Sequence, residues 1–461
     1  MIANELADFA NELKKRAVID SVIIADDNDI LYEEYFNGFN ENKLHRLFSV
    51  TKTLTGMAVG ILADNGQIDM DMSVASFFPE LLPPSVDDRI MKTTVRDCLR
   101  MQSCYTNTTY DKFSTTENWV ESFFTSKPQK NAGTLFNYDT GAAHVLCAAV
   151  EALTGTDLLS YMRESILNLT DFSKDSYILK DPFGVSMGGS GLCGTSRDLL
   201  ILTRLLSGKE YLCNDGVRRN LLPSSFVLEA TQFQSDTRLS AKLHLLSMGY
   251  GEMVWHDCHG GYFLYGMGGQ FGFCFPLADG NNLFVITTAD TQGNAAGDEL
   301  IYEAICDRLL PSINLTEGRF LHDRREPEPF LKIVPKHSVY EIKNNDNFKA
   351  LQFDFDKDNE EFSLKLVSKH AYIPSEDIRF SFKEKKEGKL NYMSTPLLTE
   401  ALVTLDGHLY LNIRLIGCNT GSIRMEFAFN SGFTRFEAAF KKIEETYYSQ
   451  FNGIIDGELC N

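Results

Sequence analysis

The sequence predicts a chain in two parts, an α/β part followed by an all-β part. In the first part, strand patterns at both ends enclose a middle that is rich in helical patterns. The second part consists of short alternating segments separated by polar turns, which is typical of an antiparallel sheet or small barrel. A length of 461 residues agrees with two or three domains of roughly 100–200 residues each.

The elements of the first part can be assigned in order along the chain. Leu6, Phe9 and Leu13 recur on one stripe and predict an N-terminal helix, and the segments VIDSVIIADD and ILYEEYF predict two strands joined by a polar turn. Helical patterns and loops dominate from about residue 49 to about residue 206. Strands are predicted again at YGEMVW, YFLYG, FGFCFPL and NNLFVITTAD, followed by a helix at DELIYEAICDRLLP. We therefore expect one sheet closed by distant segments, with a helical lobe inserted.

The second part follows a polar segment that contains two prolines and is predicted to be a linker. The predicted boundaries are 1–312 for the first domain, 313–329 for the linker and 330–461 for a small antiparallel β domain. Its strand patterns are LQFDFD, EFSLKLV, DIRFSFK, ALVTL, LYLNIRLIG and SIRMEFAF.

Composition excludes some classes of partner. The chain has 63 acidic and 44 basic residues and a formal net charge of −19, which disfavours binding to nucleic acid or to anionic lipid surfaces. The first residues lack the apolar region of a secretory signal, and no stretch reaches the roughly 18 apolar residues of a membrane helix. The ten cysteines form no CxxC pair. We therefore expect a cytoplasmic protein with reduced thiols.

The segment LFSVTKTLTG places Ser49 at the start of a predicted helix and Lys52 on the same face, one turn later. The positive end of a helix dipole disfavours a cation there by about 0.3–1 kcal/mol. A neutral lysine is different, because burial lowers its pKa and the free amine can then accept the serine proton. The same spacing also arises by chance, as a helix cap followed by a solvated lysine, so the pair alone leaves both interpretations open.

Two further segments, GTLFNYDTGAAHVLCAAVEALTG and FLYGMGGQFGFCF, follow SVTKT in the chain. Together the three resemble the motifs of the penicillin-recognising serine hydrolases, which include class C β-lactamases, D,D-peptidases, D-aminopeptidases, carboxylesterases and nylon-oligomer hydrolases. The resemblance covers about residues 15–310. It implies a β-lactamase/transpeptidase-like α/β (α+β) fold, in which an antiparallel sheet is flanked by helices and carries a helical lobe. It also implies that the C-terminal domain is a lipocalin-like barrel.

The resemblance assigns roles to the first two motifs. Ser49 and Lys52 match Ser-x-x-Lys, and Tyr138 matches the tyrosine of Tyr-x-Asn. These matches imply that Ser49 is the nucleophile and that Lys52 and Tyr138 transfer the proton, with either of them as the base. Thr140 replaces the asparagine, whose amide both donates and accepts hydrogen bonds, so a weaker hold on a substrate carbonyl is expected.

The third motif departs from the family pattern. Gly266, Met267 and Gly268 stand where Lys-Thr-Gly or His-x-Gly is usual, so the cation that binds a substrate carboxylate is missing. Neutral esters or amides are therefore expected as substrates rather than β-lactams. Gly269 is expected to supply the second N–H group of an oxyanion hole, opposite the N–H of Ser49. A plain glycine turn between two strands is the alternative interpretation.

Three other segments contain residues that could belong to a functional site. The motif GVSMG around Ser186 resembles a nucleophile elbow, but no helix follows directly, so a glycine-rich loop is expected. His144 falls in a helical segment and is expected to be packed or capping. The sequence HDCHGG groups His256, Asp257, Cys258 and His259, but no second ligand cluster is evident and a hairpin turn explains it, so no metal site is predicted.

These observations predict a serine hydrolase that acts through an acyl-enzyme on an ester or amide and acts poorly on β-lactams. The expected substrate is a small molecule or short peptide, and no cofactor is implied. The alternative is a non-catalytic β-lactamase-like protein that binds a peptide or cell-wall fragment, or a ligand held inside the C-terminal barrel. The sequence leaves open the substrate's identity, the choice between hydrolysis and acyl transfer, and the oligomeric state.

Overall fold

The computed structural model describes residues 3–109, 117–292, 296–315, 326–416, 421–443 and 448–460. The chain forms two compact units, an N-terminal unit of residues 1–128 and 136–322 and a C-terminal unit of residues 129–135 and 323–461. Most of the predicted linker, 313–329, lies outside the described residues. Its last residues begin a helix, because proline is well tolerated in the first helical turn.

The N-terminal unit contains strands and helices in the predicted arrangement. Its strands are β1 (Ile19–Ala25), β2 (Ile30–Tyr35), β3 (His45–Phe48), β4 (Tyr177–Ile178), β5 (Leu192–Gly194), β6 (Tyr211–Leu212), β7 (Arg218–Arg219), β8 (Trp255–His256), β9 (Tyr262–Gly266), β10 (Gln270–Pro276) and β11 (Asn282–Ala289). Its helices are α1 (Ala3–Arg16), α2 (Val50–Asp64), α3 (Asp88–Lys92), α4 (Val95–Leu99), α5 (Trp119–Thr125), α6 (Thr140–Thr154), α7 (Leu158–Ser165), α8 (Ser196–Leu205), α9 (Ser224–Thr231) and α10 (Gly297–Ala304).

A six-stranded antiparallel sheet in the order β2-β1-β11-β10-β9-β8 forms the centre of this unit. Strands β1 and β11 come from opposite ends of the unit and pair side by side, with Ile23 opposite Ile286. Both are buried along their whole length, which explains their continuous apolar runs. The expectation of one sheet closed by distant segments is confirmed.

Helices cover both faces of this sheet. A Cβ atom on Gly272 of β10 would lie 2.2 Å from Thr203 Oγ1 of α8. The next residue, Phe273, stacks on Tyr302 of α10 with ring centroids 5.8 Å apart. Because consecutive strand residues point to opposite faces, α8 and α10 pack on opposite sides. The predicted fold class, an antiparallel sheet flanked by helices, is therefore confirmed.

The helical lobe is built around α2 and α6, which pack against each other and are buried almost all round. Helices that are apolar on every face belong to the core of a protein or to a membrane. Here, no single helix of the described residues is long and apolar enough to cross a membrane, and α6 and α7 pass that test only as a pair bent by 64°. No disulfide joins the cysteines of the described residues.

One predicted strand is mostly wrong. The segment YGEMVW contributes only its last residue to a strand, β8. Met253 has a φ of 60°, a left-handed conformation that interrupts extended backbone. The neighbouring Gly251 is also pressed against the chain, since a Cβ atom there would lie 1.9 Å from the Ala230 carbonyl oxygen. The apolar pattern of this segment reflects burial in an irregular loop.

The C-terminal unit is a nearly closed barrel of ten antiparallel strands in the order β15-β14-β13-β12-β21-β20-β19-β18-β17-β16. A short helix precedes it. The bounds are α11 (Pro327–Ile333), β12 (His337–Ile342), β13 (Phe348–Asp356), β14 (Glu361–Ser368), β15 (Glu376–Ser381), β16 (Lys386–Lys389), β17 (Pro396–Val403), β18 (Leu409–Leu415), β19 (Gly421–Phe429), β20 (Arg435–Ile443) and β21 (Gly453–Leu459).

The interior of this barrel is filled by its own side chains. Alternate residues of β13 are buried, as expected for strands with one face inward. Phe353 and Phe355 stack there, and Phe362 stacks on Phe380 across the next strand pair. These rings belong to one continuous cluster of buried apolar residues. Such packing is that of a small barrel with a solid core, and it gives no support to a ligand held inside it.

Candidate active site

Ser49 lies at the junction between strand β3 and helix α2. The turn is sharp, because Phe48 has a φ of 46°, an uncommon conformation for a residue other than glycine. Ser49 occupies the N-cap position of α2, yet its hydroxyl makes no capping hydrogen bond. The Ser49 side chain therefore does not act as a structural helix cap, which is the role it would have if the Ser-x-x-Lys spacing had arisen by chance.

Lys52 is almost completely buried, with 1% of its surface exposed. Its Nζ lies 3.0 Å from Ser49 Oγ and 2.7 Å from the Gly189 carbonyl oxygen, to which it donates a hydrogen bond. Burial lowers the pKa of Lys52 to about 7, because desolvation penalises the charged ammonium, whereas the nearby Asp139 acts in the opposite direction. A large fraction of this amine is therefore neutral near neutral pH.

Tyr138 also contacts the serine and lies just before helix α6. Its hydroxyl is hydrogen-bonded to Ser49 and to Trp255, and Lys52 Nζ lies 4.7 Å from the centre of its ring. Burial raises the pKa of Tyr138 well above its usual value, so its phenol stays protonated at neutral pH. The serine, the lysine and the tyrosine thus converge at the point where β3, α2 and α6 meet.

Thr140 is the first residue of α6 and packs against the segment that holds Lys52. A Cβ atom on Gly189 would lie 2.5 Å from Thr140 Cγ2. Only glycine therefore fits at position 189, where the carbonyl accepts the hydrogen bond from Lys52. Thr140 is close to the site, but its predicted contact with substrate stays a prediction.

The third predicted motif lies in the hairpin between β9 and β10, next to the strand that leads to Ser49. A Cβ atom on Gly266 would lie 2.3 Å from the carbonyl oxygen of Leu47, so no side chain fits there. Gly268 and Gly269 have φ values of 109° and 90°, which favour glycine. Met267 points outward and is 54% exposed. The backbone packing therefore leaves no room for a lysine or histidine side chain at position 266.

Asp139 and Gly189 belong to the site but were not identified from the sequence. Asp139 caps helix α6 and accepts hydrogen bonds from the backbone N–H groups of Thr109 and Gly141. Its carboxylate is fully buried, and burial raises its pKa. Its position before a helical run is a capping signal, but nothing in the local sequence indicates its proximity to Lys52.

The competing candidates lie elsewhere in the N-terminal unit. Ser186 is buried in the loop before β5, and the next helix, α8, begins ten positions later. His144 is buried in α6 with its Nε2 3.2 Å from Asp181 Oδ2, in agreement with a packed histidine. The residues from His256 to His259 form the end of β8 and the turn towards β9, as a hairpin requires.

The sheet flanked by helices, with a serine and a buried lysine one turn apart at the start of a lobe helix, defines the β-lactamase-like class of proteins. Comparison of the sequence with protein families agrees with this class. The model of the family described as Beta-lactamase matches residues 7–305. The chain belongs to the Beta-lactamase family.

Individual relatives are more distant. The 6-aminohexanoate-dimer hydrolase of Paenarthrobacter ureafaciens is 26% identical over 221 residues, which are 44% of this chain and 56% of that protein. The match thus spans little more than half the length of this curated relative. The chain therefore has a hydrolase among its relatives.

Solved structures confirm the fold. The crystal structure of SurE with D-Leu aligns with 99% of this chain and 99% of its own, at a TM-score of 0.56 and 16% identity. A putative beta-lactamase from Bacteroides dorei DSM 17855 aligns with 66% of this chain and 98% of its own, at a TM-score of 0.52 and 16% identity. At such identities the likeness concerns the fold alone.

Proposed function

We propose that the protein is a serine hydrolase that cleaves an ester or amide through an acyl-enzyme. The observation that carries this proposal is the contact between Lys52 Nζ and Ser49 Oγ, 3.0 Å apart, in a lysine with almost no exposure to solvent. A base must reach the proton that it abstracts, and a pKa near the working pH suits that task. An amine held in this way activates a serine hydroxyl without a histidine.

The proposed reaction begins when Ser49 Oγ attacks the substrate carbonyl carbon and its proton passes to Lys52 Nζ. Tyr138 then gives its proton to the leaving group and is reprotonated from Lys52, so that Lys52 returns to the neutral amine. The backbone N–H groups of Ser49 and Gly269 stabilise the negative oxygen of the tetrahedral intermediate. Water then cleaves the acyl-enzyme by the same proton transfers in reverse. The low pKa of Lys52 and the high pKa of Tyr138 favour this division of roles.

The proposed substrates are neutral at the position where family members bind a carboxylate. Gly266 carries no charge and has no room for a side chain, so this site lacks the cation that penicillins require there. The curated relative takes its name from an aminohexanoate dimer, which is an amide. We therefore propose small esters, amides or short peptides as substrates.

Labelling with a fluorophosphonate probe tests the proposal directly. We expect one covalent adduct on Ser49 in the wild-type protein and none in Ser49→Ala. Ser186→Ala is the matched control, because Ser186 sits in the competing serine motif and should not affect labelling. A folded wild-type protein without an adduct would contradict the enzyme and favour the non-catalytic binder. An adduct that persists in Ser49→Ala would assign the nucleophile elsewhere.

A further inference from the structure

The turn between β8 and β9 brings together three side chains that can ligate a metal. Asp257, Cys258 and His259 each offer a ligand atom, and these atoms lie within 4.8 Å of one another. Cys258 Sγ is 3.5 Å from His259 Nδ1, and this nitrogen is 2.9 Å from Asp257 Oδ2. A tetrahedral zinc ion with bonds of about 2.3 Å to sulfur and about 2.0 Å to nitrogen separates the two ligands by about 3.5 Å. The turn is thus already close to the spacing of such a site.

Helix α10 and the turn that continues it supply the second half of the cluster. The Tyr302 hydroxyl donates a hydrogen bond to Asp257 Oδ1 at 2.7 Å and lies 3.1 Å from Cys258 Sγ. Cys306 follows one turn later, is hydrogen-bonded to Tyr302 and interacts electrostatically with Cys258. Its sulfur lies outside the group of three ligand atoms, so its side chain has to turn towards them to become the fourth ligand. Residues 305–309 form a π-helical turn, a rare geometry that is frequent at functional sites. The sequence did not indicate that this second element, nearly fifty positions away along the chain, lies beside the turn.

The cluster is open to solvent. A cavity of about 830 Å³ is lined by Cys258, His259, Tyr302 and Cys306, together with Glu299 and His244. Both thiols are partly exposed, whereas the Asp257 carboxylate is buried beneath them. An ion can therefore enter from the cavity and meet the carboxylate at its inner end.

We propose that Asp257, Cys258, His259 and Cys306 bind a thiophilic divalent cation, for which zinc fits best. Two thiolates, one imidazole and one carboxylate make a donor set that selects zinc over magnesium or calcium. Binding displaces the thiol protons to solvent. Tyr302 holds the ligating carboxylate in place, as groups behind metal ligands commonly do. The ion ties the β8–β9 turn to helix α10, at the end of β9 opposite Gly266, so its role is to stabilise the unit that carries the active site.

Cobalt and zinc titration of the full-length protein, stripped of metal by a chelator, tests this site. We expect one equivalent of Co²⁺ to give a sulfur-to-cobalt charge-transfer band, Zn²⁺ to displace it, and Zn²⁺ to raise the melting temperature. Cys258→Ser should abolish the band, and Tyr302→Phe should weaken affinity by roughly 10–100-fold. Cys460→Ser, an exposed thiol of the C-terminal unit, is the control that should change neither.

Several results would overturn the proposal. A folded wild-type protein that gives no band, or a band unchanged in Cys258→Ser, refutes the site. Full affinity in Cys306→Ser refutes the four-ligand set. If Cys258→Ser does not fold, His259→Gln serves instead, because loss of the imidazole should weaken metal binding in a variant that still melts cooperatively. Fluorophosphonate labelling of Ser49 is expected in every folded variant, which separates failure of this site from failure of the proposed hydrolase.

Discussion

At the scale of single residues, burial distinguishes two interpretations of one three-residue spacing. A structural N-cap followed by a solvated lysine requires a serine oxygen bound to backbone N–H groups and an exposed amine. Ser49 makes no capping bond, and Lys52 is buried against it. Helix periodicity placed both residues on one face, but only the packing of the lobe around them removes water from the amine. The pKa shift is therefore a property of the fold and not of the motif.

The pKa of Lys52 leads to a prediction about pH. Because burial lowers it to about 7, the rate of fluorophosphonate labelling at Ser49 should rise as pH increases through about 7 and then level off. Lys52→Arg, whose guanidinium stays charged, should lose roughly 10²–10⁴-fold in labelling rate. The measurement is the second-order rate constant between pH 5 and 9. A flat profile in the wild-type protein would remove Lys52 from the role of base.

Two substitutions of Asp139 separate its electrostatic effect on Lys52 from its structural role as a helix cap. Its negative charge raises the pKa of Lys52, so Asp139→Asn should shift the midpoint of the labelling profile to lower pH. Asparagine is as good an N-cap as aspartate, and the helix should keep its stability. Asp139→Ala removes the cap as well and should cost about 0.5–2 kcal/mol of unfolding free energy. An unchanged midpoint in Asp139→Asn would mean that this buried carboxyl group carries no charge.

At the scale of elements, the hairpin of β9 and β10 explains the altered third motif. Gly266→Lys restores the charge of the family motif but introduces a Cβ atom 2.3 Å from the Leu47 carbonyl oxygen. We expect it to be destabilised by about 1–3 kcal/mol or more without becoming a β-lactamase. Gly432→Ala is the control, because a Cβ atom there meets only Thr434 Cγ2 at 3.8 Å. Thermal unfolding and nitrocefin turnover measure both effects, and rapid nitrocefin turnover by the lysine variant would contradict the expectation.

The local sequence pattern was sufficient to predict the strands that are buried on one face and those that are buried on both faces. The apolar runs of β1 and β11 and the alternation of the barrel strands were readable because burial and side-chain direction repeat along them. The segment around Met253 was misread, since its positive φ leaves no trace in apolar pattern. Gly189 and Cys306 were missed for a different reason. Their contacts with Lys52 and Tyr302 depend on how distant elements pack, which no local spacing encodes.

At the scale of the whole molecule, the two units are not continuous in sequence, because a short segment from the first half of the chain belongs to the C-terminal unit. Residues 129–135 belong to the C-terminal unit, although residues 136–322 separate them from the rest of it. Glu437 of β20 is buried and accepts hydrogen bonds from Asn131 N at 2.7 Å and from Asn131 Nδ2 at 3.0 Å, and it also accepts from the Thr134 hydroxyl. The chain rejoins the N-terminal unit at Phe136, two residues before Tyr138. The barrel therefore anchors the segment that leads into the second motif.

This connectivity predicts that Glu437→Ala slows labelling of Ser49 although residue 437 lies far from it in sequence. Loss of the carboxylate removes the hydrogen bonds that it accepts from Asn131 and Thr134, at a cost of about 1–3 kcal/mol for bonds to a charged group, and frees the segment before Tyr138. We expect a several-fold lower rate, with the pH midpoint still near 7, because the hydrogen bonds of Lys52 to Ser49 and Gly189 do not involve the 129–135 segment. Glu387→Ala, an exposed acidic residue on β16, is the matched control. A wild-type rate in a Glu437→Ala protein with a loosened 129–135 segment, measured by hydrogen exchange, would show that Tyr138 is positioned by the N-terminal unit alone.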